Sequence, residues 1–193
     1  VGVVGLGYVG LPLAVEFAEA GFRTVGIDVD PAKARGVRQG RSHIEDVPTA
    51  AVRPLVRNGR LRAQDHYRGC GKFDVILICV PTPLRKTKDP DVSHIVSAVE
   101  EIAKYLHPGM LVLLESTTYP GTTEELILPI LSESGLAVGE DFFLAFSPER
   151  VDPGNETWKT HNTPKIIGGT TPDCTEVAWA LYSRAVQTVI RVS

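Results

Sequence analysis

One short segment near the start of the chain, residues 5–10 with the sequence GLGYVG, constrains the fold more than any other. Its glycines have the spacing G-x-G-x-x-G, an apolar run precedes them, and a helical pattern of apolar residues follows. A second apolar run, 24–27, ends in Asp28. A strand, a glycine turn, a helix and a second strand that ends in an acidic residue together predict a βαβ unit with parallel strands.

Each glycine of the segment has its own physical task in such a unit. Gly5 allows a tight turn, Gly7 lets a pyrophosphate approach the backbone closely, and Gly10 allows the helix to pack on the sheet. The free N–H groups of the first helical turn favour phosphate. Asp28 would accept hydrogen bonds from the adenosine ribose and would repel a 2′-phosphate, so the pattern predicts NAD rather than NADP.

Composition excludes several other classes of function. The 193 residues carry a formal net charge of −3, which gives no indication of a nucleic-acid partner. We expect no membrane partner either, because no apolar run approaches the roughly 18 residues of a transmembrane helix. The three cysteines, Cys70, Cys79 and Cys174, are scattered and odd in number. They favour a reducing compartment, the cytoplasm, and no metal site is expected.

Apolar runs alternate with amphipathic segments along the chain. We predict strands at 1–4, 24–28, 60–64, 74–80, 110–114, 141–146, 165–168 and 186–192. We predict helices after the glycines, after Asp91 and at 31–38, 48–58, 122–134 and 172–184. Thr122 and Glu125 have the spacing of a capping box, and Pro129 should kink that helix. The alternation predicts an α/β fold: a Rossmann-like, doubly wound, mostly parallel sheet with helices on both faces.

Ligands of such sheets bind beyond the carboxyl ends of the strands, so the residues that follow each strand are site candidates. They include Thr82 between two prolines, the hydroxyls of Ser116 and Thr117, and the pair Glu149 and Arg150. Each has a plain structural alternative. Thr82 could be a rigid loop residue, the two hydroxyls could cap a helix, and the last pair could be a surface ion pair.

Four segments in order along the chain resemble the UDP-glucose/GDP-mannose dehydrogenase family. They are GLGYVG at 5–10, CVPTP at 79–83, ESTTYPGTT at 115–123 and FSPERVDPG at 146–154. The last two are most similar to the branch that oxidises UDP-N-acetylglucosamine. UDP-N-acetylmannosamine and UDP-glucose remain alternative substrates.

The resemblance implies oxidation of the C6 alcohol of a UDP-sugar to the uronic acid with two NAD, through an aldehyde and a cysteine thioester that water hydrolyses. For the cofactor, it implies that Gly7, Tyr8 and Val9 contact the pyrophosphate, that Asp28 and Lys33 bind the adenosine side, and that Thr82 and Thr117 border the nicotinamide half. For the reaction, it implies that Glu149 helps to activate the hydrolytic water and that Glu149, Arg150 and Val151 neighbour the substrate.

The resemblance also implies how the chain relates to the whole enzyme. It matches residues 1–193 to the NAD-binding domain, whereas the family's nucleophilic cysteine, central helix and C-terminal UDP-sugar domain lie beyond it. We therefore expect this fragment alone to bind NAD with weak or moderate affinity and to be inactive. The full-length protein is expected to be a cytoplasmic homodimer or higher oligomer that serves polysaccharide biosynthesis.

Two other functions stay open at this point. A different Rossmann dehydrogenase, acting on a hydroxy acid or an acyl thioester, shares the glycine segment but does not explain the segments around Ser116 and Glu149. A non-catalytic NAD-sensing module needs the glycines and Asp28 but not Glu149 and Arg150.

Overall fold

A computed structural model describes residues 1–85, 90–150, 154, 157 and 160–192. The strands are β1 (Gly2–Val4), β2 (Thr24–Ile27), β3 (Leu61–Gln64), β4 (Val75–Ile78), β5 (Leu111–Leu114), β6 (Phe143–Phe146), β7 (Lys165–Gly169) and β8 (Val189–Val192). The helices are α1 (Gly10–Glu19), α2 (Pro31–Arg38), α3 (Thr49–Arg57), α4 (Ser93–Ala103), α5 (Leu128–Ser132) and α6 (Pro172–Tyr182).

The strands form one sheet in the order β3-β2-β1-β4-β5-β6-β7-β8. Neighbouring strands run parallel except for β6 and β7, which are antiparallel. The chain order reverses direction at β1, which lies between β2 and β4. Ligands of doubly wound sheets bind at such a reversal, beyond the carboxyl ends of the strands. The predicted fold class is confirmed.

Helices cover both faces of the sheet because its central strands are apolar on both sides. On one face, Leu77 packs in a buried cluster with residues of α1, α3 and α6, including Phe17. On the other face, Ile76 and Ile78 pack with α4 and α5 residues such as Ile95 and Leu131. Successive residues of β4 therefore point to opposite layers, as the alternation of side chains along a strand requires.

The structure corrects one local prediction. Thr122 and Glu125 do not form a capping box: residues Thr122–Ile127 form a π-helical turn, and no side chain caps its start. The Thr122 hydroxyl instead donates to the carbonyl of Tyr119 and lies 2.7 Å from the Thr118 hydroxyl. Local hydrogen bonds to the preceding loop, three and four residues away, thus occupy the hydroxyl that a cap would need. The regular helix α5 starts only at Leu128, just before Pro129.

Several predicted strands are shorter than their apolar runs. The run 74–80, for example, contributes only Val75–Ile78 to the sheet, and the run 186–192 only Val189–Val192. Apolar residues beyond the strand ends are buried against helices instead, as Val186 is. In the described part of the chain, none of the helices has the length and apolar character that crossing a bilayer requires.

Candidate cofactor and active site

A cleft of about 660 Å³ opens at the carboxyl edge of the central strands. Residues from the ends of five strands line it, together with one face of α4. The lining includes Gly5, Gly7, Tyr8, Val9, Asp28, Lys33, Thr82, Thr117 and Glu149. The structure thus brings together nine of the residues predicted from the sequence, and the volume lies within the range of cofactor sites.

The glycines of the 5–10 loop differ in what surrounds them. Gly5 has a φ of +91°, and a Cβ there would lie 2.5 Å from the carbonyl oxygen of Cys79. A Cβ on Gly10 would lie 1.7 Å from the carbonyl oxygen of Gly5. A Cβ on Gly7, in contrast, would meet no atom within 4 Å. Gly5 and Gly10 are therefore required by the fold, whereas Gly7 leaves open space at the cleft wall.

Two side chains from elsewhere in the chain hold this loop in place. The Leu6 N–H donates to Asp28 Oδ2 at 2.8 Å. His43 Nε2 lies 2.7 Å from the Leu6 carbonyl oxygen, a hydrogen-bond distance. His43 was not predicted as a site residue, because it lies in a polar stretch between two helices and only the folded chain brings it to the loop.

Asp28 is nearly buried, with 7% of its surface exposed, and its carboxylate is fixed in orientation. Its Oδ1 accepts the Asp30 N–H at 2.9 Å, and Lys33 Nζ lies 3.9 Å from Oδ2. A carboxylate oxygen has two acceptor sites, so capacity remains for hydroxyl donors from the cleft. Lys33 is partly exposed beside it and adds positive charge at this end.

Two hydrogen bonds connect the loops that follow β4 and β5. The Thr82 hydroxyl donates to the Thr117 carbonyl at 2.6 Å, and the Ser116 hydroxyl donates to the Val80 carbonyl at 2.6 Å. The Ser116 hydroxyl thus does not cap a helix, and the Thr82 and Ser116 hydroxyls each bond to the neighbouring loop. They fix the wall of the cleft on the side away from Asp28.

Under that wall lies a buried ionic cluster, which we define as Glu115, Lys165 and Tyr182. Lys165 Nζ lies 2.5 Å from Glu115 Oε2 and 5.5 Å from the centre of the Tyr182 ring. The Tyr182 hydroxyl donates to the other Glu115 oxygen. Glu115 belongs to the 115–123 segment of the family resemblance, and the other two residues were not predicted. A lysine that begins an apolar strand, as Lys165 begins β7, was the available signal.

Burial and charge shift the pKa values of this cluster. Burial by itself lowers the pKa of Lys165, but the attraction of Glu115 and Glu149 outweighs it, so that pKa lies above its usual value. Complete burial raises the pKa of Glu115 despite the facing ammonium. Burial, with the negative charge of Glu115, raises the pKa of the neighbouring Cys79 thiol well above its usual value. Cys79 is thus a core residue and not an activated nucleophile.

Glu149 lies at the cleft end next to the ionic cluster. Its Oε2 is 3.6 Å from Lys165 Nζ, and its Oε1 accepts the Arg150 N–H at 2.7 Å. The Glu149 carboxylate therefore pairs with a buried lysine rather than with the Arg150 guanidinium. Arg150 is exposed and does not line the cleft. Val151, the third residue predicted near the substrate, lies outside the described residues.

The opposite wall of the cleft was not predicted. Tyr67 lines it, and so do His94, Ser97 and Glu101 from one face of α4. Burial raises the pKa of Tyr67 to about 12, with smaller contributions from Cys70, Glu101 and Asp28. The helical spacing of apolar residues predicted the buried face of α4, but it did not predict that polar residues of this helix would line the cleft.

These features define a class of protein. The fold is a Rossmann-type sheet, and its glycine loop follows the strand at which the order reverses. Open space at Gly7 can admit phosphate, and Asp28 faces the same cleft. The fold, the glycine loop and Asp28 together are typical of a dinucleotide-binding domain.

Comparison with known proteins identifies the family. Residues 1–186 match the UDP-glucose/GDP-mannose dehydrogenase family, NAD binding domain. The chain is 40% identical over 188 residues to the UDP-N-acetyl-D-glucosamine 6-dehydrogenase of Pseudomonas aeruginosa, covering 96% of this chain and 43% of that protein. It is also 40% identical over 195 residues to the NDP-N-acetyl-D-galactosaminuronic acid dehydrogenase of Ralstonia nicotianae, covering 97% and 45%.

The solved structures agree with the sequence comparison. The UDP-N-acetyl-mannosamine dehydrogenase Cap5O from Staphylococcus aureus superposes with a TM-score of 0.92 and 31% identity, over 100% of this chain and 47% of that chain. The chain belongs to the UDP-glucose/GDP-mannose dehydrogenase family as its NAD-binding domain. It spans less than half the length of the curated relatives named above.

Proposed function

We propose that this chain is the NAD-binding domain of a longer enzyme that oxidises the C6 alcohol of UDP-N-acetylglucosamine to the acid. One observation carries the proposal. Asp28 follows β2 and Glu149 follows β6, with β1, β4 and β5 between them in the sheet, so one cleft has the glycine loop and Asp28 toward one end and Glu149 toward the other. A dinucleotide that spans such a cleft places its adenosine beside the acidic residue and its reactive ring near the far carboxylate.

The geometry supports a specific role for each end of the cleft. Asp28, oriented by two backbone N–H groups, accepts hydrogen bonds from the ribose hydroxyls, and Lys33 offsets negative charge there. Gly7, Tyr8 and Val9 contact the pyrophosphate, while Gly5 and Gly10 shape the loop that presents them. Thr82 and Thr117 border the nicotinamide half.

At the reaction end, NAD when bound accepts a hydride from the substrate carbon. The overall conversion takes one alcohol, two NAD⁺ and one water to one carboxylate, two NADH and three protons. Glu149 accepts a proton from the water that attacks the acyl group. Arg150 and Val151 are proposed neighbours of the sugar nucleotide.

The choice of sugar rests on likeness alone. Two relatives at 40% identity carry the names UDP-N-acetyl-D-glucosamine 6-dehydrogenase and NDP-N-acetyl-D-galactosaminuronic acid dehydrogenase, and both names contain an N-acetylated amino sugar. An N-acetylhexosamine nucleotide is therefore favoured over UDP-glucose. A non-catalytic NAD sensor is the second candidate, and the placement of Glu149 beside a buried lysine favours the enzyme.

We further propose that the enzyme is cytoplasmic and assembles as a homodimer or higher oligomer through segments outside this chain. All three cysteines are buried free thiols, which fits a reducing compartment.

Calorimetry of this chain tests the cofactor end. We expect saturable NAD binding, weak NADP binding, and at least about tenfold weaker NAD binding by Asp28→Ala, because one bidentate charged acceptor is worth about 1.5–3 kcal/mol. Asp65→Ala, which removes a carboxylate that pairs with Arg38 at 4.0 Å, is the matched control and should bind normally. Equal affinity of wild type and Asp28→Ala for NAD would contradict the assignment.

The full-length protein tests the reaction. Two NADH formed for each UDP-N-acetylglucosamine consumed, with less formed from UDP-glucose, supports the enzyme. NAD binding without NADH formation from any of the named sugar nucleotides supports the sensor instead.

A further inference from the structure

Lys165 is a buried lysine with charged and aromatic partners. It begins β7, yet its side chain is only 8% exposed. Carboxylates lie on two sides of its ammonium, Glu115 at 2.5 Å and Glu149 at 3.6 Å, and the Tyr182 ring lies on a third at 5.5 Å. Burial of a charge costs several kcal/mol and is tolerated only with such partners.

The ionic cluster also has a fixed internal geometry. Glu115 is fully buried, one of its oxygens accepts from Lys165, and the other accepts from the Tyr182 hydroxyl. Tyr182 in turn lies edge-on against Phe17, at 5.4 Å between ring centres, in the apolar core. The ammonium of Lys165 is thereby held by elements of the sheet, of α6 and of the core. Its position is set by rigid parts of the fold.

Glu149, in contrast, follows β6 in a loop. Its Oε1 accepts the N–H of its own neighbour, Arg150, and Lys165 faces its Oε2. The facing ammonium attracts this carboxylate in a region of low dielectric constant, where such attraction is strong. Lys165 thus links a loop carboxylate at the cleft to the core of the domain.

We propose that Lys165 is a positioning residue that holds the Glu149 carboxylate at the reaction end of the cleft, with Glu115 and Tyr182 holding Lys165 in turn. This inference rests on the proposed function, in which Glu149 accepts a proton from the hydrolytic water. In that step the water oxygen bonds to the acyl carbon, the carbon–sulfur bond breaks, and the thiolate leaves. Catalytic groups must stay within about 0.5 Å of their productive position, and rigid elements provide that better than loops.

The test compares Lys165→Met and the double variant Lys165→Met/Glu115→Gln with wild type. Lys165→Met alone leaves Glu115 buried without its cation and can fail to fold. The double variant removes one charge of each sign, so that its cluster stays neutral while Glu149 loses its ammonium. Arg191→Met is the matched control: this exposed cation also pairs with a carboxylate, Glu176 at 2.6 Å, and covers the Trp179 ring.

In the full-length enzyme we expect the double variant to lower kcat by about 100-fold, the usual cost of misplacing a catalytic group by about 1 Å. Accumulation of the covalent acyl-enzyme, seen by mass spectrometry, should accompany this loss. The KM for the UDP-sugar and the Kd for NAD should change by less than about twofold, because the ammonium does not bind either. Arg191→Met should match wild type. A double variant with wild-type kcat overturns the proposal. A double variant whose NAD affinity falls by as large a factor as its kcat also overturns it.

A second readout does not depend on activity. Crystal structures of this chain and of its double variant should show the Glu149 carboxylate displaced by more than about 0.5 Å or disordered in the variant. An unmoved Glu149 overturns the positioning role. If the wild-type enzyme forms no NADH, the proposed function fails, and these structures still decide whether Lys165 positions Glu149.

Discussion

At the scale of single residues, the glycine loop separates two requirements that its sequence pattern presents as one. Gly5 and Gly10 are required because a Cβ at either would overlap backbone atoms of the loop or of β4's end. Gly7 meets no such neighbour and faces the cleft. The fold therefore requires Gly5 and Gly10, whereas cofactor binding is expected to require Gly7.

We predict that Gly7→Ala folds normally but binds NAD at least about tenfold more weakly, because its methyl group occupies the space left for phosphate. Gly10→Ala, with its Cβ 1.7 Å from a carbonyl oxygen, should lower the free energy of unfolding by about 3 kcal/mol or prevent folding. Urea denaturation and NAD calorimetry of both variants check this. Normal affinity of Gly7→Ala would show that phosphate does not approach there.

The ionic cluster places charged residues in the interior of the domain. Charged side chains deep in a domain are costly, and the cluster of Glu115, Lys165 and Tyr182 is retained beside the candidate active site. A carboxylate, an ammonium and a phenol that satisfy one another give Glu149 a fixed positive neighbour. The two buried partners of Lys165, Glu115 and Tyr182, lie 50 and 17 residues away from it in the sequence.

At the scale of elements, the cleft depends on how strand ends are connected to one another. The loops after β4 and β5 meet because the strands are parallel neighbours, paired from Val75–Leu111 to Ile78–Leu114. The Thr82 hydroxyl then ties one loop to the other. The π-helical turn Thr122–Ile127 follows the second loop, and turns of this kind are frequent at functional sites.

Thr82→Val removes the bond to the Thr117 carbonyl and leaves that acceptor without the hydroxyl. We expect NAD affinity to fall about fivefold, which corresponds to about 1 kcal/mol for one hydrogen bond. Thr82→Ser keeps the hydroxyl and should bind almost as wild type does. Calorimetry of both variants decides. Equal affinities for the valine and serine variants would show that the loops do not need this bond.

At the scale of the whole molecule, one half-buried carboxylate should make stability depend on pH. Burial, and secondarily repulsion from Glu19, raises the pKa of Glu16 on α1 from 4.5 to about 7. Between these values the folded chain holds a proton that the unfolded chain releases, so stability falls as the pH rises through this window. Above pH 7 the cost is constant.

We therefore predict that Glu16→Gln raises the free energy of unfolding at pH 8 by about 1 kcal/mol, a value discounted because the side chain is partly exposed to solvent. At pH 4 the variant and wild type should be equally stable, because the carboxyl is protonated in both states. Glu133→Gln, at an exposed position, is the control. Urea unfolding at the two pH values gives the comparison. A gain at pH 4 as large as at pH 8 would contradict a charge effect.

The family assignment and the cofactor depended on local features that the sequence displays. Glycine spacing, the acidic residue after the second strand and the alternation of apolar runs with amphipathic segments are properties of neighbouring residues, so they predict the βαβ unit and the doubly wound sheet. Local features, the residues at strand ends and the family resemblance together predicted nine residues that the cleft contains.

Only the tertiary structure decided what those residues touch. Glu115, Lys165 and Tyr182 are 50 to 67 residues apart where they bond, and His43 reaches the glycine loop across 37 residues. Contacts at such separations follow from the order of strands in the sheet, and no local pattern along the sequence encodes them. The sequence by itself determined the fold class and the cofactor, and folding decided which charges meet beside Glu149 in the cleft.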